Sequence, residues 1–73
     1  MRFRIQTVTG EIFTSDLMTE KELANLKMTE EEAIAQGQKI FEHFDDLEYL
    51  SLEMSGRKRF FNPKNVVWGE IID

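Results

Sequence analysis

The chain has 73 residues, a 41% hydrophobic share, a 32% charged share, no cysteine and a formal net charge of −5. That length allows a single domain, residues 1–73, with a thin core, because so short a chain buries only ~60% of the surface it exposes when unfolded. The composition excludes a disulfide framework and thiolate ligands, contains no run near the ~20 apolar residues of a membrane-crossing helix, and has the wrong sign for nucleic acid as a default partner.

The first residues, Met1-Arg2-Phe3-Arg4-Ile5-Gln6, lack the apolar segment of a secretory signal, so a cytoplasmic location is expected. From Arg2 to Val8 the pattern alternates, with Phe3, Ile5 and Thr7 on one face of a strand and Arg2, Arg4 and Gln6 on the other. Thr9-Gly10 supplies a turn, and Glu11-Ile12-Phe13-Thr14 resumes the strand pattern, which predicts a β-hairpin.

Two capping boxes follow, Thr19 with Glu22 and Thr29 with Glu32, in which hydroxyl and carboxylate satisfy the free N–H groups of a helix start. They predict a short helix near 20–26 and a longer one near 30–43. Ala33, Ile34, Gly37, Ile40, Phe41 and Phe44 make one apolar stripe on the longer helix. Gly37 lies on that stripe, where glycine costs ~1 kcal/mol against alanine, so it marks close packing of helix on sheet. Asp45-Asp46 oppose the helix dipole and place the helix end before them.

Tyr49 to Met54 alternates with Leu50, Leu52 and Met54 inward; Ser55-Gly56 turns the chain, and Arg57 to Asn62 returns as a strand. Pro63-Lys64-Asn65 makes a corner, because proline has no N–H to donate to a ladder. Val66 to Ile72 reads as a last strand, apolar on both faces and therefore interior to the sheet. The order β-β-α-α-β-β-β predicts an α+β domain, an antiparallel sheet of four to five strands with one helical layer packed on it.

Little in this pattern supports catalysis. His43 is the single histidine, and its neighbours Glu42, Asp45 and Asp46 diverge by about 100° per helical residue, so they do not converge on one ion. No hydroxyl is paired with a base, no G-x-S-x-G elbow occurs, and the four glycines are scattered singly rather than gathered into a phosphate-binding loop. We therefore expect no catalytic residue, no metal site, no cofactor and no enzyme activity.

Two surfaces remain for binding. The acids concentrate in residues 16–53, where only Lys21, Lys27 and Lys39 oppose them. Glu30, Glu31, Glu42, Asp45 and Asp46 are thus candidates for docking a protein partner, alongside an exposed sheet edge. Both ends of the chain are mildly basic. Arg2, Arg4, Arg57, Lys58 and Arg59, with Trp68 as a stacking platform, form the alternative, a nucleic-acid-binding face of cations interleaved with rings. An unpaired edge strand on a thin core adds the possibility of a homodimer.

The closing run Arg59-Phe60-Phe61-Asn62-Pro63-Lys64-Asn65-Val66-Val67-Trp68-Gly69-Glu70-Ile71, with the Thr9-Gly10-Glu11 turn and an acidic helix, resembles small uncharacterised proteins of phages, prophages and mobile elements of Gram-positive bacteria. The second capping box, Thr29 to Glu32, departs from their simpler one-helix pattern. The resemblance implies an accessory gene product acting on host machinery and carries over no functional residue. The sequence thus leads to a small non-enzymatic protein-binding module inside the cell, with nucleic-acid binding as the alternative.

Overall fold

In the computed structural model, which describes residues 1–72, the hairpin of Arg2–Thr7 (β1) and Ile12–Thr14 (β2) opens the chain. The helices Glu20–Asn25 (α1) and Glu30–Glu42 (α2) follow, then a 3₁₀ turn at Phe44–Asp46 and the hairpin Leu50–Met54 (β3) with Arg57–Phe61 (β4). A second 3₁₀ turn, Pro63–Asn65, leads into Val66–Ile72 (β5). The architecture is α+β, with element order and boundaries close to those the sequence predicts.

The local reasons are the predicted ones. Thr19 and Thr29 each accept a hydrogen bond at the side-chain oxygen from the third residue on, Glu22 N–H at 3.3 Å and Glu32 N–H at 3.1 Å, so both capping boxes start their helices. Ser55 and Gly56 have φ of 55° and 74°, the pair of positive values that a two-residue type I′ hairpin needs. Pro63 stands at the start of its 3₁₀ turn, and Asn62 caps that turn by accepting from Lys64 N–H at 3.0 Å.

The described strands form two antiparallel sheets, β2-β1-β5 and β3-β4. β5 is an edge strand, where its two-sided apolar pattern predicts an interior one. Both of its faces are covered without another strand: α2 lies on Gly69 and Ile71, while Trp68 and Glu70 bond across to Gln6 and Arg4 of β1 on the other side. A β-bulge at Val67 adds to the effect. Gln6 pairs with Trp68 and Thr7 with Val66, so Val67 is left between them, 56% exposed, while Val66 turns inward.

Ile5, Leu50, Leu52 and Val66 make one buried cluster between the two sheets, edged by Phe13, Phe44 and Phe61. Met1, Leu23 and Ala33 make a second beneath α1 and α2, and Phe3 belongs to the border of both. Gly37 is where α2 meets the sheet. A Cβ there would lie 2.6 Å from Ile71 Cδ1 and 2.7 Å from Phe3 Cε1, so the close packing inferred from the glycine is real.

One residue fastens the second sheet to the first. Asp16 N–H donates to Glu53 O at 2.8 Å, and its two carboxylate oxygens accept from the turn amides of Ser55 and Gly56, each at 2.9 Å. Those amides, Gly56 first and Ser55 next, hold the Asp16 carboxyl below the usual range; desolvation opposes them more weakly, and the charge of Arg2 adds a smaller push downward. A depressed pKa gives stability that is present above the ordinary value of about 4 and is lost as pH falls through the lowered one. Acid unfolding followed by circular dichroism should therefore be steeper below about pH 4 in the wild type than in Asp16→Asn, which keeps an acceptor but has no charge to lose. Superimposable acid limbs would remove the clasp from the stability argument.

Candidate protein-docking site

The acids named from the sequence do not form one surface. Glu30 and Glu31 lie in the first turn of α2, where they serve the helix start, and Glu42 closes the helix about 18 Å away. Between them the exposed residues are mainly Ala35, Gln36, Gln38 and Lys39. Asp45 and Asp46 sit on the 3₁₀ turn beyond. Of the five, Asp45 lines the surface described next, and Glu42 borders a groove between α2 and β5.

The basic set is also divided. Arg2, Arg4 and Trp68 share the outer face of the three-stranded sheet, but Arg4 is ion-paired with Glu70, and the half-buried Trp68 donates its indole N–H to Gln6. Arg57, Lys58 and Arg59 belong to the other sheet. There Arg59 stands opposite Leu52, its guanidinium 5.2 Å from the Phe13 ring centre and 5.7 Å from that of Phe61, while Lys58 pairs with Glu53 on the reverse face. His43 caps the C-terminus of α2 and is exposed; among the described residues no three His, Asp or Glu side chains are grouped to hold a metal ion.

The most distinctive surface is aromatic. Tyr49 is 58% exposed and Phe60 63%, and their rings meet edge to face at 5.3 Å and 72°. Strand alternation puts them there. Phe61 pairs with Leu50 and turns inward onto Phe13, with ring centres 5.0 Å apart, so Phe60 must turn out, opposite Ser51. With Leu47, 38% exposed, the pair walls an open depression of about 530 Å³ rimmed by Asp45, Glu48, Asn62 and Lys64. The two 3₁₀ turns pack against each other and supply Asp45 and Lys64 to the rim.

Comparison with protein-family models, curated proteins and solved structures finds no match to this chain. The site is therefore read from its own chemistry.

Tyr49, Phe60 and Leu47 were not among the candidates drawn from the sequence. The signal was present, however: adjacent aromatics in one strand cannot both face the core, so one of Phe60 and Phe61 had to be outside.

Proposed function

We propose that this chain is a small, non-enzymatic protein-binding module whose docking face is the Leu47–Tyr49–Phe60 patch. The observation that supports this reading most is the exposed aromatic pair itself. Two large rings held in water cost free energy that a folded monomer does not recover, and clustered exposed apolar groups mark interaction surfaces. Tyrosine and phenylalanine give large, rigid contact areas of the kind that dominate interfaces. The rim supports a basic partner. Asp45 and Glu48 line the depression, and Glu42 and Asp46 are close along the chain, with Lys64 as the base on the far side. A partner segment that presents an apolar side chain flanked by Lys or Arg matches this arrangement.

The nucleic-acid alternative gains less support, because Arg4 is paired with Glu70 and Arg57, Lys58 and Arg59 lie on a different sheet from Trp68. No helix among the described residues is long and apolar enough to cross a membrane. An accessory role inside a bacterial cell fits the family resemblance and belongs to the same proposal.

The test is capture from bacterial lysate by tagged wild type and by Phe60→Ser, each with and without nuclease, followed by direct titration of the protein recovered. Because Phe60 is exposed, its loss should leave the fold intact. Truncating an interface hot spot costs ~2 kcal/mol or more, so affinity should drop roughly 30-fold. Unchanged affinity in Phe60→Ser would overturn the docking face. Recovery that disappears with nuclease would move the function to the basic residues, and binding would then weaken steeply with salt.

A further inference from the structure

We infer that the open edge of β5 is a self-pairing edge, which joins two copies of this chain about a two-fold axis at Gly69 into one continuous six-stranded sheet. The outer edge of β5 has no backbone partner among the described residues. The open edges of the two sheets are treated differently. β4 carries Arg57, Lys58 and Arg59, the charges that keep edge strands from pairing. β5 is the longest strand, has no Lys, Arg or Pro, and its Glu70 is taken up by Arg4. Of these two edges β4 is defended and β5 is not; the outer edge of β2 is only three residues long, and β3 accepts a bond from Asp16 N–H at Glu53.

The geometry selects the occupant. A two-fold axis perpendicular to the sheet pairs β5 with itself antiparallel and keeps inward residues opposite inward residues. The axis must then pass through a residue. Centred on Glu70 it would set two carboxylates face to face, and centred on Trp68 it would bring the bulge at Val67 one residue nearer the axis than a centre at Gly69 does. Centred on Gly69, it puts Trp68 opposite Glu70 of the second copy and Val67 opposite Ile71 of the second copy, each pair occurring twice and none with like charges.

The helices agree with this register. Gly37 touches both Phe3 of β1 and Ile71 of β5, so α2 lies above the gap between those strands, half a strand spacing from β5. With strands ~4.8 Å apart, the two copies of α2 would run about 10 Å apart, the distance at which helices pack. The side chains that would fill this seam, Ile34, Gln38, Phe41 and Glu42, already line a groove of about 650 Å³ along β5, open to solvent in one copy. Phe41 lies over Gly69 and Gly37 over Ile71, so α2 runs antiparallel to β5. An axis at Gly69 therefore sets Phe41 against Phe41 of the second copy, two apolar rings at the centre of the seam.

The experiment is sedimentation equilibrium from micromolar to near-millimolar protein, on the wild type and on Val67→Lys, with hydrogen exchange at both ends of the range. Val67 is exposed, so the lysine should not disturb the monomer, which circular dichroism checks. The wild type should rise from 8.6 kDa to twice that mass, with β5 amides gaining protection as it does. Val67→Lys should stay at the monomer mass throughout, and Phe60→Ser should dimerise like the wild type, so this inference and the docking face stand or fall separately. A wild type that remains monomeric at the highest concentration overturns the proposal. So does a dimer that survives Val67→Lys and leaves the β5 amides unprotected.

Discussion

Ile5→Ala should remove a large part of the stability of this domain. Ile5 is fully buried, at 0% exposure, and sits in the middle of β1 with Phe13 of β2 on one side and Gly69 of β5 on the other. It also belongs to the cluster with Leu50 and Leu52, so it helps hold the second sheet to the first. Truncating a core isoleucine to alanine costs ~2–5 kcal/mol, through lost burial and the cavity left behind. The whole stability of a chain this long is about 4–11 kcal/mol, at 0.05–0.15 kcal/mol per residue. Urea unfolding should show the midpoint falling by roughly a fifth or more with an unchanged slope, and a visible unfolded fraction without denaturant if the wild type lies at the lower end. Ile5→Val, which removes one methyl, should cost ~0.5–1.5 kcal/mol. If both variants shifted the midpoint equally, Ile5 would not be the centre of the core.

Gly69→Ala should be the second severe substitution, although it adds a single carbon. A Cβ at Gly69 would run into three atoms of the Phe41 ring, Cδ1, Cε1 and Cγ. A ring cannot yield at one end, so α2 must lift or Phe41 must leave its rotamer, and overpacking of this kind costs ~1–3 kcal/mol. Gly37→Ala meets a softer neighbour. It meets the terminal methyl of Ile71, which can rotate, and one edge atom of the Phe3 ring at 2.7 Å rather than three ring atoms, and the helix regains ~1 kcal/mol on replacing glycine, so its net loss should be the smaller of the two. The Phe41 explanation has its own check in a double-mutant cycle. Phe41→Leu should make Gly69→Ala less costly than it is in the wild type, because the residues are in contact and their effects should not add. Simple additivity would mean that strain elsewhere accounts for the loss.

The parts of this fold that were legible in the sequence are those fixed by near neighbours along the chain. The Thr19 and Thr29 caps, the Ser55-Gly56 turn and the Pro63 corner each depend on a few adjacent residues, so each could be read locally. Gly37 was also legible, since a glycine on an apolar helical stripe has little other explanation. The sheet order was not, because pairing is decided between distant residues. β5 reads as interior through its two-sided apolar pattern, yet α2 on one face and the β1 side chains on the other supply the cover that a neighbouring strand would have given. The bulge at Val67 then shifts the alternation within the strand, which no period-two reading anticipates. At the candidate site, Asp45 was picked out by its charge. Tyr49 and Phe60 were missed because the outward face that the alternation gives Tyr49 was not followed to a partner, and their meeting across a hairpin depends on the β3–β4 register. The acidic set scattered because the residues were grouped by charge alone, although the predicted helix over 30–43 already sets Glu30 and Glu42 at its two ends.

The pairing of β1 with β5 also governs how this protein is made. Arg4 and Glu70 are 66 positions apart, so the central strand of the main sheet waits for the last strand to leave the ribosome. Until then the β1–β2 hairpin exposes Phe3, Ile5 and Phe13, with neither β5 beside them nor α2 above. The β3–β4 hairpin, closed by a two-residue turn, can form as soon as it emerges. Nascent chains of this protein therefore pass through an interval with an uncovered aromatic strand, in which chaperone capture or aggregation would act.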